Sequence, residues 1–484
     1  MDLHYWRDQG AWTVLLPQMD WLVANYQRRE GVTPDLAKAW DVSGDGTAYT
    51  FHLDSALWSD GSPVTAEDVA SSLRRIAFGL GARPYQSTLA SLDRVESLDN
   101  ITVRLTLKRP DASFIAGLGV IGNVIYPSGY SIQQYAEMKP LASGPFVLSE
   151  FKPDYRIRLA KNNHYFKKGA AGRALPYLDG VDLFVIPDPI TGYAAIRVGQ
   201  FDLTYPADPV ALSLTSAQAA EKLQDLTISV ARESAYTVTF MDRLPWSNDR
   251  VRKAIEIGMD RHALVQEQSL GFGTAYSFLM PPKELGGKWG LQQEELMTPR
   301  GYGTGGTDIA PALQLLKLSG VDASALHAAL KVREGLADMA TGVADQLKKR
   351  LGISMEAAPV DEEGVRAAQA TGDFDLLFDE VSLPLDDPSA ALDPVFRSRS
   401  PRNYGRWNDA EVDGLLDKLA VVRNAAERRN LSEQLQWRLV DLAWTIEVGG
   451  RYTIQAWSPK VKGFAGRLNS QDGPAYRFED VWLD

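Results

Sequence analysis

The chain has 484 residues and a formal net charge of −11, with 45% hydrophobic and 23% charged residues. That is the balance of a folded globular protein of about three domains, and its acidity argues against a nucleic-acid partner. No stretch approaches the ~20 apolar residues of a membrane-spanning helix, and the absence of cysteine excludes disulfides, thiolate metal sites, cysteine nucleophiles and a lipid-modified cysteine anchor.

The opening residues, Met1-Asp-Leu-His-Tyr-Trp, lack the basic and apolar regions of a signal peptide. On residues alone this fits either a cytoplasmic chain or one whose leader lies outside this sequence. Tyr49, Phe51 and Leu53 alternate with polar residues after the Gly44-Asp45-Gly46 turn, which predicts a half-buried strand. Thr65 and Asp68 form a capping box for a helix with Val69, Leu73 and Ile76 on one face. Ile101, Val103, Leu105 and Leu107 predict another strand, so residues 34–142 read as a small α+β unit.

A further strand is predicted around Tyr155, Ile157 and Leu159. A third region starts near Tyr236–Phe240, where Asn248 and Asp260 can cap two helices. Asn408 and Glu411 predict a capping box ahead of Val412, Leu415, Leu416 and Leu419. Leu431, Leu435, Leu439 and Leu442 mark a second amphipathic helix, and the chain returns to strands at Tyr452–Ile454 and Val461–Phe464.

The words Pro34-Asp-Leu-Ala-Lys-Ala-Trp40, Tyr49-Thr-Phe-His-Leu53 and Trp58-Ser-Asp-Gly-Ser-Pro63-Val-Thr65 occur in order with later ones to about residue 465. In that order the chain resembles the extracytoplasmic solute-binding proteins of peptide-type ABC importers, the oligopeptide-, dipeptide- and nickel-binding group. The resemblance implies an α/β class, large two-lobed periplasmic binding-protein fold (type II, with an extra subdomain) and a ligand cleft at a hinge. One lobe would comprise residues 1–33, 143–234 and 450–484 with the subdomain 34–142 attached, and the other residues 235–449. It also implies a periplasmic monomer without cofactor, its signal peptide absent from this chain, serving an inner-membrane ABC permease.

Other chemistry is poorly supported. Gly301-Tyr-Gly303-Thr-Gly-Gly306 matches the dinucleotide fingerprint GxGxxG, but the residues before it do not read as the buried strand that chemistry requires, so a surface loop is expected. His4, His52, His164, His262 and His327 lack the spacing of metal ligands, and His52 is expected to face solvent. Neither a Walker lysine motif nor a Gly-x-Ser-x-Gly elbow is present. A hydrolase using paired acids is the remote alternative, and a chaperone-like or signalling receptor on the same fold is a third class.

The ligand candidates come partly from aromatic content and partly from the resemblance. Trp21 and Trp246, two of the twelve tryptophans, and Tyr26 are the aromatic candidates, with core packing the plainer account of each. Ser143-Gly144 matches a family Thr-Gly at the seam between the first two lobes, where a missing Cβ would let ligand approach the backbone. The stretch Leu377–Pro388 matches one in which peptide binders place an ammonium-pairing aspartate four residues before a proline; here that position is Pro384. Asp386 or Asp387 could substitute for it. Arg397, Arg399, Arg402 and Arg406 follow closely, with Asn403 and Tyr404 at a family cleft-facing position. The lost amine anchor and the gained arginine forks favour a phosphate- or carboxylate-bearing ligand, such as a sugar phosphate or an opine conjugate like agrocinopine, over an oligopeptide or dipeptide.

Overall fold

The computed structural model describes residues 2–4, 9–25, 31–79, 85–130, 141–169, 172–204, 226–264, 277–282, 287–303, 308–383, 385–464 and 476–484. Two compact units divide these residues. One holds 2–204, 226–229 and 455–484; the other holds 230–454.

In the first unit, β1 (Ala37–Val42), β2 (Ala48–Leu53), β3 (Leu92–Ser97) and β4 (Thr102–Leu107) form an antiparallel sheet in the order β1-β2-β4-β3. Tyr49, Phe51 and Leu53 are buried on β2 as the alternation predicts. Helix α1 (Ala66–Phe78) begins at the predicted capping box, where the Thr65 N–H donates to Asp68 Oδ2 at 2.7 Å and the Asp68 N–H to Thr65 Oγ1 at 3.4 Å. Its Val69, Leu73 and Ile76 are fully buried in the core that also holds the sheet. Each such burial is worth roughly 1.5–3 kcal/mol over exposure, which fixes the face that the helix presents. A second antiparallel sheet contains β5 (Phe146–Lys152), β6 (Arg156–Lys161) and β7 (Gly180–Phe184) in that order.

The N- and C-terminal stretches meet in this unit through buried charge. Arg477 donates to Asp35 Oδ1 at 2.8 Å, pairs with Glu479 at 3.0 Å and also reaches Asp20 and the Tyr165 hydroxyl. Lys167 pairs with Asp35 as well. Burial pushes the Asp20 carboxyl up to about 6 against the pull of Arg477.

The second unit is built on a five-stranded sheet of β8 (Thr227–Phe240), β9 (His327–Arg333), β10 (Ser354–Val360), β11 (Leu376–Val381) and β12 (Thr445–Trp457), in the order β10-β9-β11-β8-β12. β9 runs parallel to β10 and β11, while β8 pairs antiparallel with β11. Five of the helices that pack around it are α2 (Asp249–Gly258), α3 (Ala337–Leu351), α4 (Glu362–Thr371), α5 (Pro388–Phe396) and α6 (Ala410–Val421), followed by the longer α7 (Ala425–Leu442). Asn248 caps α2 as expected, accepting from the Arg250 N–H at 3.0 Å. The cap of α6 differs from expectation: Asp409, not Asn408, accepts from the Glu411 and Val412 N–H groups, both at 2.9 Å. Either residue suits an N-cap, and Asn408 instead donates back to the Arg406 carbonyl at 3.2 Å.

The division between units falls inside two strands, at Ser229/Val230 in β8 and Ile454/Gln455 in β12. The resemblance implied lobe limits at 234/235 and 449/450, which fall inside the same two strands. A Cβ at Gly450 would stand 3.0 Å from the Ser234 carbonyl, so this glycine admits a close strand neighbour.

Candidate ligand-binding site

A cavity of about 220 Å³ opens within the second unit. β8 contributes Thr237 and Thr239, β11 contributes Asp379, Glu380 and Val381, and β12 contributes Thr445. The segment joining α5 to α6 brings Arg402, Asn403, Tyr404 and Trp407, and Trp444 and Leu279 also line the cavity.

The joining segment is shaped by Asn403. Its Nδ2 donates to the carbonyls of Trp407 at 2.8 Å and Arg397 at 3.2 Å, and its Oδ1 accepts from the Trp407 N–H at 3.2 Å. Asn403 is therefore a buried staple that closes the loop, and the side chains either side of it face different fates. Arg397 forks onto Asp393 with two bonds of 2.7 Å and reaches Asp417 at 2.9 Å, which raises its pKa further. Arg406 donates to the Ala370 carbonyl at 3.2 Å. Arg402 is exposed at the cavity, and no described side chain pairs with its guanidinium.

The acids of the cavity are already engaged. Asp379 accepts from Gln369 Nε2 and from the Glu380 N–H, both at 2.8 Å, and burial pushes its carboxyl up. Glu380 accepts from the Ser234 hydroxyl at 2.5 Å and pairs with Arg451 at 3.0 Å. Arg333 pairs with Glu362 at 2.8 Å. The aromatic wall is a stacked pair, Trp407 on Trp444, with centroids 5.5 Å apart and planes 8° from parallel. Trp407 Nε1 donates to the Phe240 carbonyl at 2.8 Å, and the Arg252 guanidinium lies 4.3 Å from its ring. Among the described residues of this cavity Arg402 is the cation left unpaired for a ligand.

Of the ligand candidates read from the sequence, Arg402, Asn403 and Tyr404 meet at this cavity. The others are placed elsewhere. Trp21 is fully buried in the first unit, its Nε1 donating to the Val120 carbonyl at 2.9 Å. Trp246 is a core residue of the second unit against Phe240. Asp387 caps α5 and holds Arg428 Nη2 with both oxygens at 2.8 Å. Asp386 Oδ2 accepts from the Lys288 N–H at 2.8 Å, while its Oδ1 is closed off from solvent without a partner among the described residues. Ser143 is fully buried. Gly144 is needed by the chain itself: a Cβ there would meet Gln18 and Met19 backbone atoms at 2.5 Å, so the close approach expected of ligand is made by protein. Tyr26 and Pro384 lie outside the described residues.

Asp379 and Glu380 lie in the stretch Leu377–Pro388 but upstream of Pro384, the position that the family resemblance marks. Leu279 carries no sequence signal at all. The GxGxxG segment follows a short helix, Gln293–Leu296, rather than a strand, and its Tyr302 is fully buried under the Arg261 guanidinium at 3.9 Å instead of lying in an open loop. His52 lies on β2 with its Nε2 3.0 Å from Asp41, and its side chain is partly exposed. Among the described residues no acidic, histidine or cysteine cluster could hold a metal ion, and no helix is long and apolar enough to cross a membrane.

Residues 31–403 match the bacterial extracellular solute-binding proteins, family 5 (middle). The chain belongs to this family. It is a solute-binding protein of ABC importers, and its relatives are binding proteins rather than enzymes. Heme-binding protein A of Haemophilus influenzae is 25% identical over 472 residues, covering 90% of this chain and 81% of that protein. The probable deoxycholate-binding periplasmic protein YgiS of Escherichia coli is 28% identical over 463 residues, covering 90% and 82%. Among solved structures, AgaA of A. tumefaciens R10 in complex with agropinic acid superposes with a TM-score of 0.72 at 25% identity, covering 100% of this chain and 96% of AgaA. The fold is the α/β periplasmic binding-protein fold that the sequence resemblance implied.

Proposed function

We propose that this solute-binding protein captures a small carboxylate- or phosphate-bearing solute, of the sugar-phosphate or opine-conjugate kind, and delivers it in the periplasm to an inner-membrane ABC permease. The observation that carries the ligand class is Arg402, a cavity guanidinium with no described partner beside acids and an arginine that are already paired. A fork-shaped cation left open at a cavity suits a bidentate anion. The ligands named for three relatives point the same way, since haem, deoxycholate and agropinic acid all carry carboxylates.

Peptide capture is the second reading, favoured by Asp379 and Glu380, which could meet an α-ammonium in the same cavity. Their existing bonds to Gln369 and Arg451 make them weaker anchors than an open carboxylate. The test is calorimetry of wild type and Arg402→Ala against agropinic acid, glucose 6-phosphate and a di- to pentapeptide panel. A charge-assisted bond is worth roughly 1.5–3 kcal/mol, so the variant should bind an anion about one to two decades more weakly. Tight peptide binding without any response to the two anions would overturn the ligand class and leave the transport role standing.

A further inference from the structure

Leu279 is a buried leucine held in a backbone conformation that leucine rarely adopts. Its φ is +50°, and the Met280 N–H donates to the Phe278 carbonyl at 2.5 Å, so Leu279 is the middle residue of a positive-φ γ-turn. Turns of this kind are strained for a side-chain-bearing residue and persist where the surroundings over-determine them. Here both ends of the residue are pinned. Its N–H donates to Glu447 Oε2 at 2.6 Å, and its carbonyl accepts from Arg232 Nη1 at 3.1 Å. Arg232 and Glu447 are themselves a buried ion pair, 2.7 Å apart. The Ser277 hydroxyl donates to the same carboxylate, which fixes the turn from its other side.

Glycine would take this turn without strain. What leucine adds is an apolar side chain on the wall of the cavity that also holds Arg402 and the stacked tryptophans. We propose that Leu279 is the residue that sets ligand size in this cavity, a fixed apolar knob limiting the body of a ligand whose anionic end meets Arg402. The proposal rests on the reading that this cavity receives the ligand. The backbone that carries the knob is held on both sides by a buried ion pair.

The test compares full-length wild type, Leu279→Ala and Leu279→Gly by affinity selection and mass spectrometry from one defined library. That library holds agropinic acid, hexose phosphates, deoxycholate and di- to pentapeptides. Removing the knob should change the ratio of bulkier to smaller retained members by about tenfold or more, the discrimination that small apolar differences in a pocket provide. The two variants should shift that ratio alike, while Leu279→Gly melts above Leu279→Ala because only glycine relieves the turn. The glycine variant thus keeps the test open if the alanine variant folds poorly. An unchanged ratio in a folded variant overturns the proposal, as does retention of no library member by wild type and variants alike. A wild type that retains only peptides refutes the anionic reading, yet its comparison with the variants still decides the role of Leu279.

Discussion

Arg477 and Asp35 lie 442 residues apart in the chain and 2.8 Å apart in the fold, both fully buried. Around Arg477 the carboxyls of Asp20, Asp35 and Glu479 converge, with Lys167 the second cation. A buried ion group of this kind need not exceed a hydrophobic substitute in stability, but removing one member leaves uncompensated charge. Arg477→Met should therefore cost about 3–5 kcal/mol in urea unfolding, far more than loss of an exposed pair such as Arg74–Glu67. Equal stability of Arg477→Met and wild type would show that the three acids take up protons or water at little cost.

Gly144 gives a second prediction. Its missing Cβ leaves room for the Gln18–Met19 backbone, which stands 2.5 Å from where the Cβ would be, and its N–H donates to the Gln18 carbonyl at 3.0 Å. Backbone cannot step aside as a flexible side chain can, so Gly144→Val should lower the melting temperature markedly, at a cost of about 1–3 kcal/mol or more. A variant that melts with wild type but binds agropinic acid poorly would return this position to the ligand.

Asp386 should make stability depend on pH. Burial pushes its carboxyl up to about 6, above its ordinary value of 3.8. Between those values the folded chain holds the proton more tightly than the unfolded chain does, so stability falls as pH rises through that window. The loss attributable to this one group is about 1–3 kcal/mol and is complete above pH 6. Asp386→Asn, which cannot ionise, should flatten the change in unfolding free energy between pH 4 and 7. Parallel curves for the two proteins would mean that water or a counter-charge serves Oδ1.

Periodic elements were legible because burial repeats along them. The alternation at Tyr49, Phe51 and Leu53 and the face of Val69, Leu73 and Ile76 both follow from one-sided burial of a regular backbone. The family order of words carried the fold class for the same reason, since it follows the elements. Sites are less legible, because they join residues with no shared period. Trp21 and Trp246 show that an aromatic signal does not separate a cleft from a core. Arg402 and Arg397 have the same side chain five residues apart, yet one is open and the other is consumed by Asp393 and Asp417. Only the fold supplies those partners. Leu279 is harder still, since nothing in Phe278-Leu279-Met280 announces a left-handed leucine.

The stacked pair Trp407–Trp444 offers an optical test of where ligand enters. Both rings line the cavity, and Trp407 is further polarised by the Arg252 guanidinium 4.3 Å away. A carboxylate drawn to Arg402 would place new charge beside these indoles, which changes their emission. Trp21 and Trp246, buried away from the cavity lining, should stay silent. Titrating agropinic acid into wild type should therefore shift the fluorescence, and Trp407→Phe should lose most of that shift while still binding in calorimetry. The substitution also leaves the Phe240 carbonyl without its 2.8 Å indole donor, so a cost of about 1–3 kcal/mol in stability should accompany the loss of signal. A Trp407→Phe protein that binds agropinic acid with the full wild-type emission change would place the ligand away from this wall.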